Sequence, residues 1–497
     1  MTDPGNRPPR SVPWAQASGQ RPGAPRTDAT RGGRPARNAA VDPAASSAVG
    51  PGAGSIVGPA ADPAVGSTAG PAVDPAVDPA VDPAVDPAVD PAVGSATGAA
   101  ITAAAPGRRR LVGVDAARGL ALIGMIAIHI LPSWDPETFE PTAQWTVFAG
   151  RSAALFAVLA GVGLAFSTGG RTPHTGRALT ADRAGTAVRA LLIAGLGLAI
   201  NHVLPGSTLD EVPAVNILVY YGAFFLLAIP FLRLSAGALF AWAACFALAG
   251  PVLVHLLRDV LPAVERYNPD YLDLVRDPGA TAARLLLTGT FPALPYLAYL
   301  LTGLAIGRLD LARLRVQVAL VLGGTLLAAG ASLTSWALVD RAGGFEHLVA
   351  RTPGLDAELV TDVIVWGPEP TLPTTTWWWL AVGGPYTNTP PALLLGLGSA
   401  VAALGVFLLL ARRSASWLLP LSAMGAMTLT VYSAHLLALA AEVHYDQPLW
   451  FVVHVGVAAA FALLWRQAMG QGPLERLVAG LVRGTRRRVL SREHRTD

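Results

Sequence analysis

Asp115, Arg118 and His129 interrupt an otherwise apolar run that begins at Leu111. An ionisable side chain in hydrocarbon is costly and is a functional hypothesis by default. At 100° per residue, Arg118 and His129 are separated by three helical turns plus about 20°, so they share one face. Asp115, three residues before Arg118, adjoins it on that face. About 16 Å of helix axis lies between the arginine and the histidine at 1.5 Å per residue. The stripe places an anion-binding cation at one depth and a titratable base at another. The same residues also admit a structural reading, in which an Asp–Arg pair anchors the helix end and a core histidine bonds a carbonyl. Further candidates stand near other apolar runs: Arg151 in Gly150-Arg151-Ser152, His202 beside Asn201, Tyr221, and His435 one turn from Tyr432. The expectation is that His129, Arg151, His202 and His435 converge on one cavity, with Tyr221 and Tyr432 on its acceptor side. A structural hydrogen bond is the alternative for each. His255, His347, His444 and His454 are read as loop or interface residues. No His-x₃-His or His-x-x-Glu spacing supports a metal site, so none is expected.

These residues need a scaffold, and the composition specifies its kind. The chain has 497 residues, 52% hydrophobic and 14% charged, where a soluble domain carries about a quarter charged residues. All 36 basic residues are arginine, and Cys245 is alone, which excludes an intrachain disulfide or cysteine cluster. A net charge of +3, with arginines that form no single basic face, gives no reason to expect nucleic acid as a partner.

Uncharged stretches lie at 119–134, 152–170, 190–209, 212–232, 234–257, 285–307, 316–339, 370–411, 414–441 and 447–465. Nearly all reach the roughly 18 residues that a helix needs to cross about 30 Å of hydrocarbon. Backbone groups in lipid must be satisfied internally, which selects helices. Arginines flank alternate loops: Arg108–Arg110, Arg171–Arg189, Arg233, Arg308–Arg315, Arg412–Arg413 and Arg483–Arg488. The intervening loops are acidic, as at Asp135–Glu140, Asp210–Glu211 and Glu442–Asp446. Ten spans with both termini cytoplasmic satisfy the positive-inside rule. The stretch 370–411 is read as one span from about Pro391, preceded by an interfacial or re-entrant segment in which Trp377, Trp378 and Trp379 lie on the outer face.

Residues 1–107 carry no comparable periodicity. The unit Pro-Ala-Val-Asp repeats five times between Pro71 and Asp90. Proline at every fourth position forbids a helix interior, and Ala and Val supply too little apolar area for a core. The expectation is a disordered, extended cytoplasmic arm acting as a spacer, with no signal peptide after Met1. The proposed organisation is this tail, a membrane domain over 108–480, and a basic cytoplasmic tail over 481–497.

Val114-Asp115-Ala116-Ala117-Arg118-Gly119-Leu120-Ala121-Leu122 resembles the opening motif of the heparan-alpha-glucosaminide N-acetyltransferase catalytic-domain family. The Arg-then-ten-then-His spacing is similar to the first helix of membrane O-acyltransferases that decorate surface polysaccharides. Asn216-Ile217-Leu218-Val219-Tyr220-Tyr221-Gly222, Gly425–Tyr432 and Gly472-Pro473-Leu474-Glu475 are similar to motifs of YeiB-like bacterial membrane proteins. Those proteins have an acid where Asn216 stands and a glutamine where His435 stands. The resemblance implies an all-α polytopic acyltransferase of a bacterial cytoplasmic membrane. Acyl-CoA, most simply acetyl-CoA, would be a cosubstrate with no cofactor bound permanently. Arg118 and Asp115 would hold the CoA side, and His129 would be the base or acyl carrier. The acceptor would be a cell-envelope glycan or another hydroxyl or amine on the outer side. The rival class is a transporter or flippase, marked by an inverted repeat or by broken helices. No repeat is visible, and Pro292 and Pro295 are the nearest sign of a break.

Overall fold

The computed structural model describes residues 111–204, 212–441 and 447–491. The Pro-Ala-Val-Asp tail and its boundary at 107 lie outside the described residues. Among the described residues the protein is all-helical, with one isolated bridge, Trp134 to Pro141, and no strand. The first helices are α1 (Val112–Ile130), α2 (Ala143–Phe148), α3 (Arg151–Ser167), α4 (Gly176–Val203) and α5 (Leu218–Ala228). They are followed by α6 (Ala236–Leu257), α7 (Tyr271–Arg276), α8 (Pro278–Ala283), α9 (Ala293–Gly307) and α10 (Leu314–Trp336). Next come α11 (Gly344–Arg351), α12 (Ala357–Trp366) and α13 (Pro390–Leu410). The last are α14 (Leu419–Gly425), α15 (Thr428–Ala440), α16 (Gln447–Met469) and α17 (Pro473–Ser491).

Among the described residues seven helical segments are long and apolar enough to cross a membrane, and two bent pairs raise the number to nine. This is a multi-pass membrane protein. The expected ten stretches each contain a helix, but 212–232 yields only the shorter apolar segment Leu218–Arg233. Its first residues form no helix, and the Asn216 side chain accepts the Leu218 amide at 2.9 Å where the helix begins. A break is present beside Pro292, which the sequence offered only as the nearest sign of one: Pro278–Thr288 and Ala293–Gly307 meet at 53°. A second break was not legible in the sequence: Leu419–Gly425 and Thr428–Ala440 meet at 80°.

Helix α1 is the axis of the bundle. Of its apolar stretch 83% is buried, against 17% for α16, so α1 is enclosed by protein and α16 leaves most of its surface uncovered. Close approach at glycine makes this enclosure possible. A Cβ on Gly425 would overlap the Asp115 carbonyl, and one on Gly119 would overlap the Leu421 carbonyl. The α3–α9 crossing is built the same way, since a Cβ on Gly303 would overlap the carbonyl of Val158.

At the arginine-rich face Arg308 ties three segments together. Its guanidinium donates to the carbonyls of Thr168 at 3.1 Å, Gly170 at 2.7 Å and Leu232 at 2.7 Å, and to Thr168 Oγ1 at 3.1 Å. Helix α17 packs along α4 on the same face, where Arg486 pairs with Asp182. The boundary at 481 falls inside this helix. On the acidic face α11 and α12 fold over the Trp377–Ala381 turn and form a small second core with Leu348, Val360, Leu372 and Val382. Of the three tryptophans expected at an interface, Trp377 is exposed. Trp379 is fully buried in that core, and its indole N–H donates to Thr352 Oγ1 at 3.1 Å.

Candidate functional site

The α1 stripe has the form its spacing predicts. Arg118 Nη1 donates to Asp115 Oδ1 at 3.0 Å, and Nη2 to the Leu159 carbonyl at 3.1 Å. The guanidinium lies over Gly163, in space that a Cβ there would crowd. These contacts leave it partly accessible, at the mouth of a cavity of about 140 Å³ shared with Met125, Phe156, Ile193, Tyr221 and Tyr432. The Tyr221 hydroxyl is buried there without a hydrogen-bond partner. Thr428 and Leu429, just past the 80° bend, complete the wall. Arg189 lies close enough to Arg118 and Arg486 for mutual repulsion, so three arginines gather here against Asp115 and Asp182. Sequence reasoning took Arg189 and Arg486 as topology markers only, because nothing in their spacing relates them to α1.

Met125 is one turn from His129 and also borders the next cavity, a space of about 20 Å³ lined by His129, Ser152, Thr290, Phe291 and Tyr386. That is room for about one water. Thr290 and Phe291 belong to the 53° break, so each interruption of a helix abuts one of these cavities. His129 is buried, and its Nδ1 lies 3.0 Å from His435 Nε2 with the two ring planes parallel to within 2°. The other nitrogen of His435, Nδ1, is 2.9 Å from His454 Nδ1. With Nδ1 of His129 occupied, Nε2 is the atom left for chemistry. The Tyr432 ring is 6.4 Å from that of His129 and 6.5 Å from that of His435.

Tyr386 is shared in turn with a vestibule of about 350 Å³ on the acidic face. Its walls include Arg151, Trp145, Trp336, Tyr299, Asp340 and Asn388. Arg151 is held by a hydrogen bond to the Thr146 carbonyl. Three adjoining cavities thus run from Arg118 past His129 to Arg151, sharing Met125 and Tyr386 as common walls.

The structure brings together Asp115, Arg118, His129, Tyr221, Tyr432 and His435, with Arg151 at the far end. It does not bring His202, which lines none of these cavities. His202 Nδ1 is 3.1 Å from Asp270 Oδ2, and Tyr271 Oη is 3.2 Å from His202 Nε2, on the rim of α4 and α7. His454, read as a loop or interface residue, stands instead inside α16 and in contact with the site. The signal was available: His454 lies in the uncharged stretch 447–465, so the reasoning applied to His129 applied equally to it. No group of His, Cys, Asp or Glu among the described residues is arranged to hold a metal ion.

A bundle of this kind, with ionisable groups spaced through it along one buried helix, defines a polytopic membrane protein with an internal polar path. Residues 110–333 match the family model described as heparan-alpha-glucosaminide N-acetyltransferase, catalytic, which bears out the resemblance carried by Val114–Leu122. No curated protein matches the chain. The match ends inside α10, so His435 and His454 lie beyond it. Two of the later motifs nevertheless meet. Glu475 of Gly472–Glu475 accepts the Thr430 amide at 3.0 Å and the Thr430 hydroxyl at 2.6 Å, joining α17 to α15.

Proposed function

We propose that the chain is a transmembrane acyltransferase, carrying an acetyl or other acyl group from acyl-CoA in the cytoplasm to an acceptor on the outer side. In this reading the arginine-rich face is cytoplasmic, both termini are cytoplasmic, ten helices span a bacterial cytoplasmic membrane, and 108–480 is the working domain. The observation that carries it is the run of adjoining cavities along one face of α1, with a cation at one end and a buried imidazole between it and a roomier vestibule. Arg118, held by Asp115 and flanked by Arg189 and Arg486, suits the phosphates of CoA, since guanidinium groups bind phosphate oxygens in a fixed fork. The Arg118–His129 separation of about 16 Å along α1 is comparable to the length of a pantetheine arm. The vestibule, with aromatic walls, Asp340, Asn388 and Arg151, suits an acceptor rich in hydroxyls or amines, such as an envelope sugar.

His129 Nε2 takes the proton from the acceptor hydroxyl or amine as that group attacks the thioester carbonyl. The C–S bond breaks, the new C–O or C–N bond remains, and the thiolate leaves toward the Arg118 side and is protonated there. A histidine base so placed contributes on the order of 10² to 10⁴ in rate. The test is transfer of label from acetyl-CoA by the purified protein to membrane or cell-wall extract. Label should appear in the extract with the native protein and be lost in His129→Ala at equal expression. Transfer by His129→Ala at the native rate removes the histidine from the mechanism, and no transfer by the native protein removes the acyltransferase reading.

The two broken helices favour a second reading, a transporter or flippase of a small molecule or lipid-linked precursor without covalent chemistry. Solute flux in proteoliposomes without any labelled product would decide for it.

A further inference from the structure

We infer that His435 and His454 form, with His129, a three-imidazole proton relay that connects the buried base to the edge of α16; this rests on the acyl-transfer role of His129. His435 uses both ring nitrogens, Nε2 toward His129 at 3.0 Å and Nδ1 toward His454 at 2.9 Å. A neutral imidazole has one N–H and one lone pair, so a ring bridged on both sides donates through one nitrogen and accepts through the other. The row is therefore polarised. Before reaction His129 Nδ1–H donates to His435 Nε2, and His435 Nδ1–H donates to His454 Nδ1. When His129 Nε2 takes the acceptor's proton, the Nδ1 proton passes to His435, that of His435 Nδ1 passes to His454, and His454 releases one from Nε2. One proton enters, one leaves, and all three rings end neutral. The reverse transfer, or rotation of the rings, restores the first state.

His129 borders a cavity of about 20 Å³, and His435 and His454 border a groove of about 370 Å³. Tyr432, Ser152, Thr290 and Tyr386 are the polar groups around His129, and Trp450 stands 6.5 Å from the His454 ring. His454 is half-buried and two turns from Gln447, so the row leads from the bundle axis to its edge.

Two variants test the relay in the label-transfer assay. His435→Gln retains a donor and an acceptor but conveys no proton, and its transfer rate should fall about 10- to 100-fold with acetyl-CoA affinity and thermal stability unchanged. A rate within twofold of native overturns the relay. His454→Ala should be similarly slow and be restored several-fold by millimolar imidazole entering the groove, but not by the far less basic 1,2,4-triazole. Equal rescue by both, or none, overturns it. If the native protein moves no label, the acyltransferase reading fails by itself, and ¹⁵N NMR of histidine-labelled protein then decides on the row. Coupled titration of the three rings that is uncoupled in His435→Gln supports the relay, and independent titration in the native protein overturns it.

Discussion

His129 and His202 each stand in the last turn of a helix, and the sequence offers no difference of kind between them. Their surroundings differ completely. His202 is partly exposed and fastened by Asp270 and by Tyr271, and Asp270 also caps α7 by accepting the amides of Leu272 at 2.7 Å and Asp273 at 3.0 Å. His129 is buried, no carboxylate among the described residues lines its cavity, and it passes its contact on to two further imidazoles. A histidine tied to an acid at the rim is a brace, whereas one held by other bases inside a cavity retains a nitrogen for chemistry. The same contrast separates two arginines. Arg308 is occupied by carbonyls from two other segments, while Arg118 has one carbonyl and one carboxylate and faces an open space.

Five measurements sharpen or break this contrast. The largest effect is expected for His129→Ala, with label transfer reduced about 10²- to 10⁴-fold at unchanged thermal stability. Next is Arg308→Met, which strips several buried carbonyls of their donor and should cost about 3 kcal/mol of stability, read by thermal unfolding in detergent. Arg118→Gln removes a charge-assisted contact and should raise KM for the acyl donor about tenfold, with the unfolding temperature little changed. Asp270→Ala should cost about 1 kcal/mol through loss of the α7 cap, without slowing transfer. Smallest is His202→Ala, for which transfer within twofold of native is expected; a loss comparable to that of His129→Ala would erase the distinction between brace and base.

The Asp270 pair also carries a pH signature. Burial raises the Asp270 carboxyl, but the bonds from His202, Asp273 and Leu272 together outweigh it and leave the group below its ordinary value of 3.8. A depressed carboxylate stabilises the fold fully above its unfolded value and loses that contribution as pH falls through the folded one. The rim should therefore loosen only under acid, below about pH 4. His202→Ala should shrink that acid-dependent change in unfolding temperature.

Much of the scaffold was legible in the sequence because charge is excluded from hydrocarbon, so the membrane-crossing helices announce themselves as largely uncharged stretches. The α1 stripe was legible because a single helix fixes the relation of Asp115, Arg118 and His129. What was not legible depends on tertiary contact. The 80° bend at Ala426–Met427 has no proline at the break to mark it. The gathering of Arg118, Arg189 and Arg486 joins α1, α4 and α17, which no spacing relates. His202 was misplaced because a helix end beside an acidic loop resembles a helix end beside a cavity until the Asp270 contact is seen. His454 was passed over although it met the rule used for its neighbours.

The Arg308 cluster bears on how the protein is made. Every group that Arg308 donates to, from Ala165 through Thr168 and Gly170 to Leu232, precedes it in the chain. When the ribosome has synthesised Arg308, all of its acceptors are already in or at the bilayer, so the clasp can close without waiting for anything downstream. The N-terminal helices then form an assembled unit during translation, in keeping with the N-to-C order in which chains fold as they emerge. The helices carrying His435 and His454 arrive last, and dock against a partner that is already complete.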